Sequence, residues 1–81
     1  MKTVTVYSKN ACASCNMVKK WLTLKQVAYT EINTDEKPDV LPEVMRISGA
    51  ATMPVIIVED ESGEKAVSVG YNPSRLAGIV A

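Results

Sequence analysis

The chain has 81 residues, nine basic against nine acidic side chains, 47% apolar residues, two cysteines and no histidine. A chain of this length is expected to form one domain, residues 1–81, with a thin core, because it buries only about 60–65% of its unfolded surface. Balanced charge without a basic stripe argues against nucleic acid as a partner, and no apolar run approaches the roughly 20 residues of a membrane span.

The N-terminal MKTVTVYSKN carries one lysine and then a short alternation, without the 7–15-residue apolar stretch of a secretory signal. A cytoplasmic location is therefore expected. Thr3–Tyr7 alternates β-branched and aromatic residues and predicts a strand. From about Ala13 the period changes: Met17, Val18, Trp21 and Leu22 form an apolar stripe facing a core, with Lys19, Lys20 and Lys25 off it. That helix should end near Lys25, where Val27–Ile32 turns strand-like.

Asn33–Asp39 is polar turn chemistry containing Pro38. Leu41, Val44, Met45 and Ser48 then follow helical spacing. Asp39 is the expected cap, Pro42 falls in the first turn, and Gly49 follows the helix end. Pro54–Asp60 is a near-continuous apolar run, as in a strand buried on both faces. Glu61–Glu64 turns, Lys65–Val69 returns as a second hairpin arm, and Asn72-Pro73 starts a final helix with Leu76, Ile79 and Val80 on one face. The expected fold class is α/β, in the order β-α-β-α-β-β-α. The first βαβ unit implies two parallel strands, and a four-stranded mixed sheet flanked by three helices accommodates every element.

Cys12 and Cys15 then fall where the first strand ends and the first helix begins. A free thiol has a pKa near 8.5 and reacts as the thiolate. Unpaired N–H groups and the macrodipole at a helix start favour an anion by roughly 0.3–2 kcal/mol. Lys9, three residues upstream, adds positive charge to the same loop. Cys15, one turn into the helix, is positioned to attack a mixed disulfide formed at Cys12, and its depth would keep it shielded until then. Two buried small hydrophobes are the bland alternative. A structural zinc site needs about four ligands, more than two cysteines without histidine supply. Asp35–Glu36 and Glu59–Glu61 read as solvated turn faces, and Trp21 as core.

Met53-Pro54 heads the third strand. Cis X–Pro bonds are only about 5–6% of such bonds, so taken alone a trans bond is expected, but the topology brings Pro54 beside the Cys12 loop.

A CxxC at the first strand–helix junction, an x-Pro opening the third strand and this element order resemble the thioredoxin superfamily, in its minimal glutaredoxin-like branch. The resemblance covers nearly the whole chain and implies the thioredoxin-like fold. It also implies a thiol-disulfide oxidoreductase with Cys12 as nucleophile, Cys15 as resolving cysteine and Pro54 as the family's cis-proline. Met53 would present backbone groups to a substrate, and Tyr7 and Lys9 match the aromatic and basic positions ahead of the motif. Glutaredoxins hold glutathione with Gly-Gly followed by acidic residues; here Gly70, Tyr71, Asn72, Pro73 and Ser74 occupy that stretch. NrdH-redoxins carry Trp-Ser-Gly-Phe-Arg-Pro there, of which Gly70, an aromatic Tyr71 and Pro73 match. Ser68, Val69 and Asn72 depart, as does the Ala13-Ser14 pair. The resemblance is thus closer to the NrdH-redoxins. It implies reduction by thioredoxin reductase, ribonucleotide reductase as the disulfide partner, and partner contacts at Lys9, Met53, Pro54, Gly70 and Tyr71. Glutathione remains the alternative donor.

No tightly bound cofactor is expected beyond the redox-active Cys12–Cys15 disulfide; a cluster-carrying glutaredoxin is a third alternative. A monomer is expected, since this reading leaves no exposed apolar helix face. A small copper-carrier module, the alternative from another class, has methionine where this chain has Asn10, and it follows its first helix with a hairpin rather than a second helix.

Overall fold

The alternation of Thr3–Ser8 is realised as strand β1, with Val4, Val6 and Ser8 buried and the residues between them facing the other side. This is the computed structural model of the chain, and it describes residues 2–81. Helix α1 (Ala13–Leu24), strand β2 (Thr30–Asn33), a short 3-10 turn (Pro38–Val40) and helix α2 (Leu41–Ser48) follow. Strands β3 (Val55–Glu59) and β4 (Lys65–Val69) and helix α3 (Pro73–Val80) complete the chain. The fold is thioredoxin-like, a four-stranded mixed sheet in the order β2-β1-β3-β4 with three helices. β1 runs parallel to β2, with Thr5 opposite Thr30 and Ser8 opposite Asn33. It runs antiparallel to β3, with Val4 opposite Val58.

Because strand side chains alternate between faces, the sheet has two cores. Val4 and Val6 of β1 and Ile56 and Val58 of β3 meet Val18 and Leu22 of α1 and Leu76 and Ile79 of α3. The intervening residues Val55 and Ile57 meet Val44 of α2 on the opposite face. β3 lies between β1 and β4 and is covered on both sides, which is why it reads as an apolar run. The helix between β2 and β3 is the element that a copper-carrier fold lacks.

Four expectations are corrected. β2 begins at Thr30, not Val27. Gln26 adopts a left-handed φ of 59°, and the Val27 N–H donates to the Leu22 carbonyl at 2.9 Å, so these residues close α1 instead of pairing with β1. Asp39 is not the cap of α2. It lies inside the 3-10 turn, and Val40 precedes the helix without a side-chain bond. Met17 is not core. Cys15, Val18 and Leu22 are the buried row of α1, whereas Met17, Trp21 and Leu24 make a second row beside it, with Met17 and Leu24 50% and 71% exposed. With Lys20 and Tyr71 that row lines a surface groove of about 260 Å³. An exposed apolar helix face therefore exists, and the expectation of a monomer loses its basis.

The end of α2 and the start of α3 match their signals. Gly49 takes a φ of 70°, a left-handed conformation open to glycine, and the Asn72 side chain accepts the Arg75 N–H at 3.2 Å. Among the described residues, no helix is long and apolar enough to cross a membrane.

Candidate redox site

Cys12 caps α1. Its backbone is extended (φ −115°, ψ 103°), its carbonyl accepts the Asn16 N–H at 3.2 Å, and its sulfur accepts the Cys15 N–H at 3.1 Å. A cap of this kind satisfies one of the N–H groups that a helix start leaves without an intrahelical partner. Here sulfur takes the place of the usual side-chain oxygen. The first turn contains no acidic residue to compete for that field. The Ser14 hydroxyl lies 3.6 Å from the Cys12 sulfur. The two cysteine sulfurs are at disulfide-bonding distance, with Cα atoms 5.2 Å apart. Cys12 is 7% exposed and Cys15 1%, so Cys12 is the less buried residue of the pair.

The Met53–Pro54 bond is cis. Met53 packs in the same cluster as Cys12, Cys15, Val44, Val55 and Ile57, with Tyr7 against its edge. The Pro54 carbonyl accepts the Gly70 N–H at 2.8 Å. Gly70 has a φ of 77°, and this left-handed turn directs the chain out of β4 toward α3. The structure thus gathers Cys12, Cys15 and Met53 into one cluster and ties Gly70 to Pro54. It leaves Lys9 exposed on the loop between β1 and α1, without an ion pair among the described residues. Tyr71 sits on the groove beside α1, outside the cysteine cluster.

Several residues near the site went unread in the sequence. Ser14 is one. The turn after β2 is another: Asp35 is not simply a solvated turn residue, because its carboxylate accepts the Asn10 N–H at 2.8 Å. The side chain of Asn33 donates to that of Asn10 at 2.9 Å. Ala11, directly before Cys12, holds a left-handed φ of 50°, uncommon for a residue with a Cβ. Only the Asn-Thr-Asp run hinted at such turn-forming side chains, and nothing local linked it to residues 23 positions earlier or more.

A second polar set lies along the sheet edge. Glu31 accepts from the Ser8 hydroxyl at 2.7 Å and from Lys19 at 2.9 Å. The Ser8 bond first, and then that from Lys19, holds the Glu31 carboxyl below its ordinary value of 4.5. Among the described residues, no group of three or more His, Cys, Asp or Glu side chains is placed to hold a metal ion.

Comparison with known proteins places these features in context. The family model described as Glutaredoxin matches residues 4–62. The glutaredoxin-like protein NrdH of Lactococcus lactis subsp. cremoris is 45% identical over 76 residues, covering 94% of this chain and 97% of the relative. The glutaredoxin of Archaeoglobus fulgidus superimposes with a TM-score of 0.83 at 26% identity, covering 99% of this chain and 87% of that one. The NrdH-redoxin of Escherichia coli, a glutaredoxin-like protein with a thioredoxin-like activity profile, gives a TM-score of 0.78 at 25% identity, covering 95% and 93%.

Proposed function

The chain belongs to the glutaredoxin family as a thiol-disulfide oxidoreductase with a CxxC pair, and from that premise we propose that it works as an NrdH-type electron carrier. In this reading thioredoxin reductase reduces it, and it reduces a protein disulfide, with ribonucleotide reductase the expected target. The observation that carries the reading is the cap geometry of Cys12. A sulfur that already accepts the Cys15 N–H at 3.1 Å at a helix start is a sulfur poised to bear negative charge.

Cys12 attacks as the thiolate. It forms a bond to one sulfur of the target disulfide, and the other sulfur leaves as a thiolate. Cys15 then loses its proton and attacks the Cys12 sulfur of the mixed disulfide. The target sulfur bonded to Cys12 departs as the second thiolate, so that the target gains two electrons as a dithiol while Cys12 and Cys15 become a disulfide. The 5.2 Å Cα separation supports this closure without backbone rearrangement. The burial of Cys15 supports its role as the sulfur that waits. Met53 and Pro54 would offer main-chain groups to the target, with Gly70, Tyr71 and Lys9 at the rim.

The choice of donor rests on the 70–74 stretch, which lacks the second glycine and the acid that would hold the γ-glutamyl end of glutathione. The NrdH relatives support the same choice. The test is reduction of the oxidised protein by glutathione and by thioredoxin reductase with NADPH, side by side. Fast reduction by the reductase alone is expected, and fast reduction by glutathione alone would make the protein a glutathione-dependent glutaredoxin. Cys12→Ser should abolish reduction of a test disulfide, and Cys15→Ser should leave a trappable mixed disulfide. Full activity in Cys12→Ser would remove the mechanism.

A further inference from the structure

β1 and β2 are parallel and end in register, Ser8 opposite Asn33. The loop that leads to Cys12 and the turn that follows β2 therefore leave the sheet side by side. Thr34 joins them: its N–H and its hydroxyl both donate to the Ser8 carbonyl at 2.8 Å, and the residue is 3% exposed. From that anchor the two flanking side chains reach across. The Asn33 side-chain oxygen accepts the N–H groups of Asp35 and Glu36, at 2.9 and 3.3 Å. This fixes the amide so that its nitrogen donates to Asn10 at 2.9 Å. Asp35 accepts the Asn10 main-chain N–H at 2.8 Å. Asn10 is held by its backbone and by its side chain, two residues before Cys12.

We infer that Asn33 and Asp35 are positioning residues for Cys12, acting through Asn10. The segment from Lys9 to Ala11 is neither helix nor strand and is exposed. Ala11 occupies a left-handed conformation with φ of 50°, one that a residue with a Cβ keeps only where its surroundings impose it. The clamp on Asn10 supplies that imposition from the next strand. It sets the direction in which the chain enters α1 and so holds the Cys12 sulfur over the Cys15 N–H. The clamp touches neither sulfur, so it serves the oxidised and the reduced pair alike, and the loop need not reorganise between attack and closure.

The inference rests on Cys12 being the nucleophile, and its test keeps the two apart. The reduced protein is alkylated with iodoacetamide over a pH series, comparing wild type with Asp35→Ala, Asp35→Asn and Asn33→Ala. Loss of the carboxylate removes a negative charge, which alone would favour the Cys12 thiolate and speed alkylation. Loss of positioning acts the other way. Asp35→Ala and Asn33→Ala are expected to slow alkylation about fivefold and to move its pH profile upward. Asp35→Asn keeps an acceptor oxygen and is expected to stay within about twofold of wild type. Alanine variants that react at the wild-type rate or faster would overturn the inference, as would Asp35→Asn proving as slow as Asp35→Ala. Should Asn33→Ala fail to fold, the pair at position 35 decides. If Cys12 in the wild type is not the fast-reacting cysteine, it is the mechanism under Proposed function that fails.

Discussion

Replacing Ser14 by alanine tests how the site would hold the charge that the proposed mechanism puts on Cys12. Ser14 is the second residue of α1, and its hydroxyl is 3.6 Å from the Cys12 sulfur. In the reduced protein that hydroxyl can donate to the thiolate beside the Cys15 N–H. Hydrogen bonds to charged groups contribute about 1.5–3 kcal/mol at good geometry. At 3.6 Å, and at a half-buried residue, about 1 kcal/mol is the expected remainder. Since about 1.36 kcal/mol is tenfold in an equilibrium constant, Ser14→Ala should lower the thiolate population, and the neutral-pH alkylation rate with it, about fivefold. Alanine is the best helix former, so the substitution leaves α1 intact, and Cys15 is too buried to compete for the reagent. The assay is the second-order rate of iodoacetamide alkylation of the reduced protein, with Ser14→Thr as the variant that keeps a hydroxyl. A wild-type rate in Ser14→Ala would refute the reasoning and leave the Cys15 N–H as the group that holds the anion.

Two further outcomes concern stability. The lowered Glu31 carboxyl favours the folded state while it is ionised, so its contribution is full above its ordinary value of 4.5 and is lost as pH falls below that through the lowered value. Urea midpoints should therefore separate wild type from Glu31→Gln at neutral pH, by no more than about 1 kcal/mol for so exposed a pair. The separation should shrink in acid, and one that grows would contradict the sign. Ser68 is 3% exposed, and its hydroxyl oxygen has no hydrogen-bond partner among the described residues. Ser68→Ala removes that unsatisfied group and should stabilise the fold by about 1 kcal/mol. A thermal midpoint at or below the wild-type value would show that the hydroxyl is satisfied.

Where local chemistry dictates local structure, the sequence was readable. Lys65–Val69 is the strand its alternation implies, Asn72-Pro73 opens α3, and Gly49 closes α2. The misreadings of Val27 and of Met17 share one cause. Val27–Ala28–Tyr29 has strand-forming residues, but the closing bonds of α1 claim the first of them, and pairing with β1 starts only at Thr30. Met17 fits an apolar stripe, yet α1 buries one row against the sheet and leaves Met17 and Leu24 of the next outside, while Trp21 between them packs against the core. Periodicity gives the apolar residues of a helix, while the neighbouring elements decide which of them are covered.

The same division runs through the site. The sequence alone determined that a strand would deliver Cys12 to a helix start with Cys15 one turn later, because spacing and element order are local properties of the chain. Tertiary structure decided the rest. The seat of Met53 in the cysteine cluster depends on β3 lying antiparallel to β1, which brings the head of β3 to the end of β1. The grip of Asn33 and Asp35 on Asn10 depends on β1 and β2 being parallel and ending in register. A hydrogen bond spans about 3 Å in space and carries no limit on distance along the chain. Which polar side chains will meet is therefore settled only once the strands have paired.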